Sequence, residues 1–79
     1  MSTKSTQNFT HLGEKIKFLR LSHHMSQNAL AAAINCNRER IHDYESGIIQ
    51  HPDLYFVENI ADLYNVSLDY FRNSKGGNM

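Results

Sequence analysis

The stretch SQNALAAAINCNRERIHDYESG, residues 26–47, predicts two short helices joined by a turn of three residues. Ser26 is a favoured residue at a helix N-terminus, and the run from Ala29 to Ile34 consists of helix-forming side chains. Asn35 tolerates the left-handed conformation that ends a helix, and Asn37 is again a favoured cap. Two helices joined so tightly indicate a helix-turn-helix, in which the second helix is held out toward a groove.

The second helix of this pair mixes basic and acidic side chains instead of being uniformly basic. With Ile41 turned inward, a step of about 100° per residue points Glu39 and Asp43 outward. His42 and Arg40 then lie on the flanks. A helix that reads base edges needs both hydrogen-bond donors and acceptors, whereas one that only binds phosphate needs donors. The mixture favours base readout, although the same charges can instead form a solvated face of ion pairs.

Helical spacing also accounts for the flanking segments. Before the pair, an apolar stripe runs through Leu12, Ile16 and Leu19. After it, a second stripe runs through Leu54, Val57, Ile60, Ala61 and Tyr64, and Ser67 caps a short final helix. We therefore predict an all-α fold, a compact bundle of five helices over residues 10–72. Residues 1–9 are expected to form a flexible N-terminal arm and residues 73–79 a disordered tail.

Composition excludes several classes of protein. The net charge is zero, which counts against a protein that only neutralises phosphate. The charges are nevertheless unevenly placed: residues 1–52 carry six basic and four acidic side chains, and residues 53–79 carry two and four. The single cysteine permits no internal disulfide, and no apolar run is long enough to span a membrane. A soluble, cytoplasmic protein is expected.

The chemistry-bearing residues do not indicate catalysis. The five histidines and Cys36 show no paired ligand spacing, so we expect no metal site. No nucleophile has a base at a meaningful spacing, and there is no glycine-rich phosphate loop. We expect no cofactor and no enzymatic activity.

Four motifs together resemble the Cro and phage-repressor (XRE) family of helix-turn-helix domains. They are LGEKIKFLR at 12–20, MSQNALA at 25–31, RERIHDYESG at 38–47 and IADLYNVSLDYF at 60–71. The resemblance implies a lambda-repressor-like DNA-binding domain. The sequence departs from the family at His24 and Asn35, where glycine is frequent, and at Phe18 and Leu21, where polar residues are usual.

The resemblance also implies roles for individual residues. Base readout is expected from Arg38, Glu39 and Asp43, with His42 beside them. Apart from the resemblance, helix N-termini and short polar side chains are the usual contacts to phosphate. Contacts to the DNA backbone are therefore expected from Gln27, Asn28, Asn37, Arg40 and the amides after Gly47. Arg20 and Glu45 are expected to form a structural ion pair between the first and third helices. A dimer interface is expected at Ile49, Tyr55 and Tyr70.

These expectations lead to two hypotheses of function. The first is a transcriptional regulator, such as a repressor or controller of a phage, plasmid or other mobile element, that binds a palindromic operator in double-stranded DNA as a homodimer. A second regulatory protein is a possible further partner. The alternative is a protein-interaction module of antitoxin type on the same fold, which would bind its partner through Phe18, Leu21 and the aromatic C-terminal face. That aromatic surface is expected from Tyr55, Phe56 and Tyr70.

Overall fold

The computed structural model of the protein describes residues 11–72. It contains four α-helices, α1 (Leu12–Ser22), α2 (Gln27–Ala33), α3 (Arg38–Glu45) and α4 (Leu54–Tyr64), followed by a 3-10 helix at Leu68–Tyr70. The all-α class is confirmed, since the described residues contain no strand. The expected count of five helices is slightly off, because only four are α-helices and the last element is a single 3-10 turn of three residues.

Two expectations fall on segments outside the described residues, namely the flexible arm at 1–9 and the disordered tail at 73–79. In the part that is described, no helix has both the length and the apolar character needed to cross a bilayer.

The helix-turn-helix forms through local hydrogen bonds that the sequence predicts. The Ser26 hydroxyl accepts a hydrogen bond from the amide of Ala29 at 3.0 Å, and the Asn37 side chain accepts one from the amide of Arg40 at 3.0 Å. Each such cap stabilises its helix by about 1 kcal/mol. Asn35 has φ 61°, and its left-handed conformation turns the chain between α2 and α3. The short connection therefore has one dominant geometry.

His24 connects α1 to α2 in a left-handed conformation with φ 58°. A histidine at this position carries strain that a glycine would not, because its Cβ approaches the following carbonyl. Asn65 ends α4 with the same φ of 58°, as the sequence predicts, and asparagine tolerates this region better.

The core is formed by apolar side chains from all four α-helices and by Phe71, which follows the 3-10 helix. The buried residues are Leu12, Ile16, Leu19, Leu30, Ala31, Ile41, Tyr44, Phe56, Val57, Ile60, Ala61, Tyr64 and Phe71. The interpretation of Phe56 as part of an aromatic surface is wrong, since its ring stacks on Tyr44 with 3.9 Å between the ring centroids. This stack joins α4 to the inner face of α3. Leu54, expected on the inner stripe of α4, is exposed instead.

The first turn of α1 packs directly against the end of α3. A Cβ atom on Gly13 would collide with the carbonyl oxygen of Tyr44 and would also press on Glu45. This helix crossing therefore requires glycine at position 13, and it fixes the direction in which α3 leaves the core.

A buried ion pair holds the same two helices together. The Nε of Arg20 donates to Oε2 of Glu45 at 2.7 Å, and Nη2 of Arg20 donates to Oε1 at 3.0 Å. The two side chains are only 9% and 5% exposed. A further bond from Arg20 Nη1 to the carbonyl of Met25, at 2.9 Å, anchors the α1–α2 connection. The hydrogen bond to Glu45 raises the pKa of Arg20 above its usual value.

We expect Gly13→Ala to lower the free energy of unfolding by about 1–3 kcal/mol, as for other insertions into a packed contact. This is opposite to the gain of about 1 kcal/mol that alanine brings to an unobstructed helix position. Urea unfolding of the variant measures the difference, with Lys17→Ala at an exposed position of α1 as the control. A more stable Gly13→Ala protein would show that the two helices do not approach so closely.

We expect Arg20→Met and Glu45→Gln each to lower the free energy of unfolding by about 3–5 kcal/mol, because each leaves a buried group without its partner. The double variant should lose less than the sum of the two single losses. Thermal and urea unfolding of the four proteins test this. Strictly additive losses would show that the two side chains act independently.

Candidate nucleic-acid interface

The outward face of α3 carries donors and acceptors side by side. Arg38, Glu39 and His42 are exposed, Asp43 is half-buried, and Ile41 lies completely inside the core. The imidazole Nδ1 of His42 lies 3.4 Å from Oδ1 of Asp43, so these two side chains contact each other. A polar face about two turns long is thus presented outward on a helix whose other side is buried.

A chain of hydrogen bonds links the buried ion pair to this face. The side-chain Nε2 of Gln27 donates to Oε1 of Glu45 at 3.1 Å. The other end of the same amide, Oε1, accepts from Nη1 of Arg38 at 3.1 Å. Gln27 is the first residue of α2, and Arg38 is the first residue of α3. The N-termini of α2 and α3 are therefore linked through the side chain of Gln27, which the buried Glu45 holds in place.

The carboxylate of Glu45 determines how the Gln27 amide is oriented. A carboxylate only accepts hydrogen bonds, so the amide must turn its NH₂ group toward Glu45 and its oxygen toward Arg38. Arg38 has five N–H donors in a planar fork and uses one of them here, which leaves others directed outward. The sequence pointed to Gln27 only as a backbone contact close to the readout residues, because its bond to Glu45 depends on tertiary packing.

The residues expected to bind the DNA backbone fall into two groups. Asn28 is exposed in the first turn of α2. Asn37, by contrast, uses its side-chain oxygen to cap α3. After α3, the amide of Gly47 donates to the carbonyl of Tyr44 at 3.2 Å, and the amide of Ile49 donates to the carbonyl of Asp43 at 3.2 Å. Both of these amides are thus engaged within the protein.

Arg40 is half-buried and contacts the protein on the side of α3 that faces α4. Its guanidinium carbon lies 5.3 Å from the ring centroid of Phe56 and 5.8 Å from that of Tyr44. Its Nη2 lies 3.4 Å from Oδ2 of Asp53, the N-terminal cap of α4. No sequence spacing indicated this contact.

The expected dimer residues differ in exposure. Tyr55 is 77% exposed, and Tyr70 is exposed on the 3-10 helix. Ile49 is half-buried and packs against the core, whereas its neighbour Ile48 is 66% exposed. The loop after α3 therefore offers Ile48, not Ile49, as its main apolar side chain. On α1, Phe18 and Leu21 form a separate exposed apolar patch.

Within residues 11–72, no group of three or more histidine, cysteine, aspartate or glutamate side chains is arranged to hold a metal ion. Cys36 is half-buried in the turn before α3, and burial raises the pKa of its thiol. Burial likewise raises the pKa of Tyr64, whose hydroxyl donates to the sulfur of Met25 at 3.4 Å.

Comparisons with known proteins agree with this architecture. The helix-turn-helix family model matches residues 16–71. Among solved structures, the chain is similar to hydroxypropylphosphonic acid epoxidase from S. wedmorenis, with a TM-score of 0.74 and 22% sequence identity. That likeness covers 91% of this chain and 38% of the epoxidase chain, so it concerns the fold of one part of a larger protein. No curated protein matches the chain.

The family match includes nearly all of the described residues, from the middle of α1 to Phe71 at the end of the core. Proteins of this type bind double-stranded DNA with the helix that α3 represents here. The chain belongs to the helix-turn-helix family of the Cro and XRE type.

Proposed function

We propose that this protein is a transcriptional regulator that binds a palindromic operator in double-stranded DNA as a homodimer and reads bases in the major groove with α3. The observation that carries the proposal is the bond from Arg38 to Gln27, because it positions the side chain that we propose reads bases, through a link to the buried Glu45. An exposed arginine without such support would lose more conformational freedom on binding.

The exposed chemistry of α3 suits base readout. Arginine can bond to O6 and N7 of guanine, and a carboxylate can accept from N4 of cytosine. Arg38, Glu39 and Asp43 supply these groups, and His42 beside Asp43 is a further candidate. Each well-placed pair discriminates against the wrong base by about 1–3 kcal/mol. We propose that Asn28, Asn37 and Arg40 contribute backbone contacts.

Three observations support the homodimer. A helix of eight residues reaches few base pairs, so one copy reads too little sequence to find a single site among about 10⁶ or more competitors. Two copies related by a twofold axis would read half-sites about 34 Å apart. Tyr55, Tyr70 and Ile48 offer exposed apolar surface. The acidic balance of residues 53–79 favours keeping this part of the chain away from DNA.

The proposed biology is that of a repressor or controller of a phage, plasmid or other mobile element, acting in the cytoplasm by binding and without catalysis. Its occupancy of the operator would depend on protein concentration through dimerisation, or on a second regulatory protein.

A second candidate function is an interaction module of antitoxin type. It is favoured by Phe18 and Leu21, which are 64% and 53% exposed on α1 although most of the described apolar residues of that helix are buried. The two functions differ in their dependence on salt. For a DNA-binding protein, the logarithm of the affinity for random duplex falls linearly with the logarithm of the salt concentration, with a slope of about −0.9 for each phosphate contacted. An interaction module binds duplex weakly at every salt concentration.

The test of the proposed function is selection of bound sites from a random duplex library, followed by a salt titration on the selected and on random duplexes. We expect a palindromic motif and a steep loss of affinity with salt. Selection of no motif, together with binding that salt does not weaken, would contradict the proposal and favour the interaction module.

We expect Arg38→Ala to relax base preference at one or two positions of each half-site. Because Gln27 contacts Arg38, Gln27→Met should relax the preference at the same positions by roughly three- to tenfold. This expectation replaces the one from the sequence alone, in which Gln27 acts only on the DNA backbone. Competition between duplexes altered at those positions measures the effect, with Asn28→Ala as the control. An unchanged motif for Arg38→Ala would exclude it as a reading residue.

We expect Tyr55→Glu and Ile48→Glu to shift the protein toward monomer, because each places a charge in the proposed apolar seam. Operator affinity should fall while the helical content remains. Sedimentation equilibrium with circular dichroism measures both, and Glu58→Gln on the exposed side of α4 is the control. A wild-type protein that stays monomeric at high concentration and binds its operator one-to-one would contradict the dimer.

A further inference from the structure

We propose that Asp53 competes with DNA phosphate for Arg40 and thereby limits the affinity of the protein for any duplex, whatever its sequence. The inference rests on the proposed function, since it concerns the edge of the same α3 interface. It assigns to Asp53, at the start of α4, a role in DNA binding in addition to its role as a helix cap.

The position of Asp53 is fixed by two hydrogen bonds. Its Oδ1 accepts a hydrogen bond from the amide of Tyr55 at 2.9 Å, which caps α4. Its own backbone amide donates to the hydroxyl of Tyr44 at 3.1 Å, which ties the start of α4 to α3. The second oxygen, Oδ2, is then directed toward α3, where Nη2 of Arg40 lies 3.4 Å away.

The aromatic stack beneath Arg40 favours the same arrangement. The guanidinium group lies over the rings of Phe56 and Tyr44, which attract a cation through their electron-rich faces. Arg40 therefore has a preferred position in the free protein. Both Arg40 and Asp53 remain partly exposed to solvent, so the ion pair is weak enough to open.

Arg40 lies where a DNA strand would pass. A helix with its side chains is about 10–12 Å across, and the major groove is about 12 Å wide, so the flanks of an inserted helix face the backbones that border the groove. Ile41 points into the core, which places Arg40 about 100° away on one flank. The phosphate and the Asp53 carboxylate thus offer the same guanidinium the same kind of charge-assisted bond.

The variant that isolates this competition is Asp53→Asn. Asparagine caps a helix about as well as aspartate and retains the oxygen that accepts from Tyr55, so α4 should be unaffected. The charge that holds Arg40 is removed. We expect affinity to rise about two- to fivefold for the operator and for random duplex alike, with no change of base preference. The slope of the logarithm of affinity against the logarithm of salt concentration should become steeper by up to about 0.9, which is the value for one added phosphate contact.

Two controls separate this effect from a general change of charge. Asp69→Asn removes the same charge from another exposed ion pair, with Arg72 at 3.7 Å, on the 3-10 helix. It should leave affinity close to that of the wild type. Arg40→Gln removes the guanidinium, and in that background Asp53→Asn should raise affinity much less, because its effect passes through Arg40.

Fluorescence anisotropy on operator and random duplexes across a salt series measures all five proteins, and circular dichroism checks that each is folded. A gain in duplex affinity for Asp53→Asn that is largely lost in the Arg40→Gln background supports the inference. An equal gain for Asp69→Asn, an equal gain in the Arg40→Gln background, or no gain at all would overturn it. Failure of the wild type itself to bind any duplex would overturn the proposed function, and this inference with it.

Discussion

The rest of the interface depends on the hydrogen bonds that the carboxylate of Glu45 accepts. Its two carboxylate oxygens accept three hydrogen bonds from two other helices, two from Arg20 on α1 and one from Gln27 on α2. It is almost completely buried, and a buried carboxylate is tolerated only when its acceptors are satisfied in this way. Since Glu45 ends α3, the three helices meet at one charged group, and the orientation of the recognition helix follows from that meeting.

This arrangement separates two tasks along eight residues of α3. The inner side of the helix carries Ile41, Tyr44 and Glu45, which fix it to the core, while the outer side carries the polar groups that can differ without loss of the fold. The mixed charge of the helix is then consistent with a reader of bases. A uniformly basic helix would bind phosphate more strongly, but it would lack acceptors for cytosine and adenine edges.

The zero net charge of the protein likewise weakens its attraction to DNA phosphate. Arg40 is one of the few cationic side chains near the interface, and it is paired with an anionic side chain of the protein itself, Asp53. Together with the acidic C-terminal part of the chain, this reduces the attraction to duplex that does not depend on sequence. Specific contacts made by α3 would then decide where the protein binds.

Much of the fold follows from local sequence signals. Ser26, Asn37, Asn35 and Asn65 act within a few residues of themselves, so their roles as caps and turn residues are readable from the sequence. The inner stripe of α1 is readable for the same reason, because helical spacing alone places Leu12, Ile16 and Leu19 on one face.

The features that could not be predicted depend on how α4 packs against α3. The sequence does not show that Phe56 lies beneath Tyr44, and so it gives no reason to place Arg40 over the stack or beside Asp53. The orientation of the Gln27 amide is hidden for a similar reason, because only the folded chain brings Glu45 beside it. In the loop after α3, Ile48 is exposed and Ile49 packs against the core, although Ile49 was expected at the surface. The sequence could not distinguish them, because a loop has no fixed periodicity.

We propose that α3, held in place by Glu45, is the surface that contacts DNA. Titration of the ¹⁵N-labelled protein with its selected duplex, followed by NMR, tests this most directly. We expect the largest shifts at the first turn of α2 and at Arg38, Glu39 and Asp43, with little change at Phe18 and Leu21. Shifts confined to the exposed patch of α1, with α3 unaffected, would contradict it.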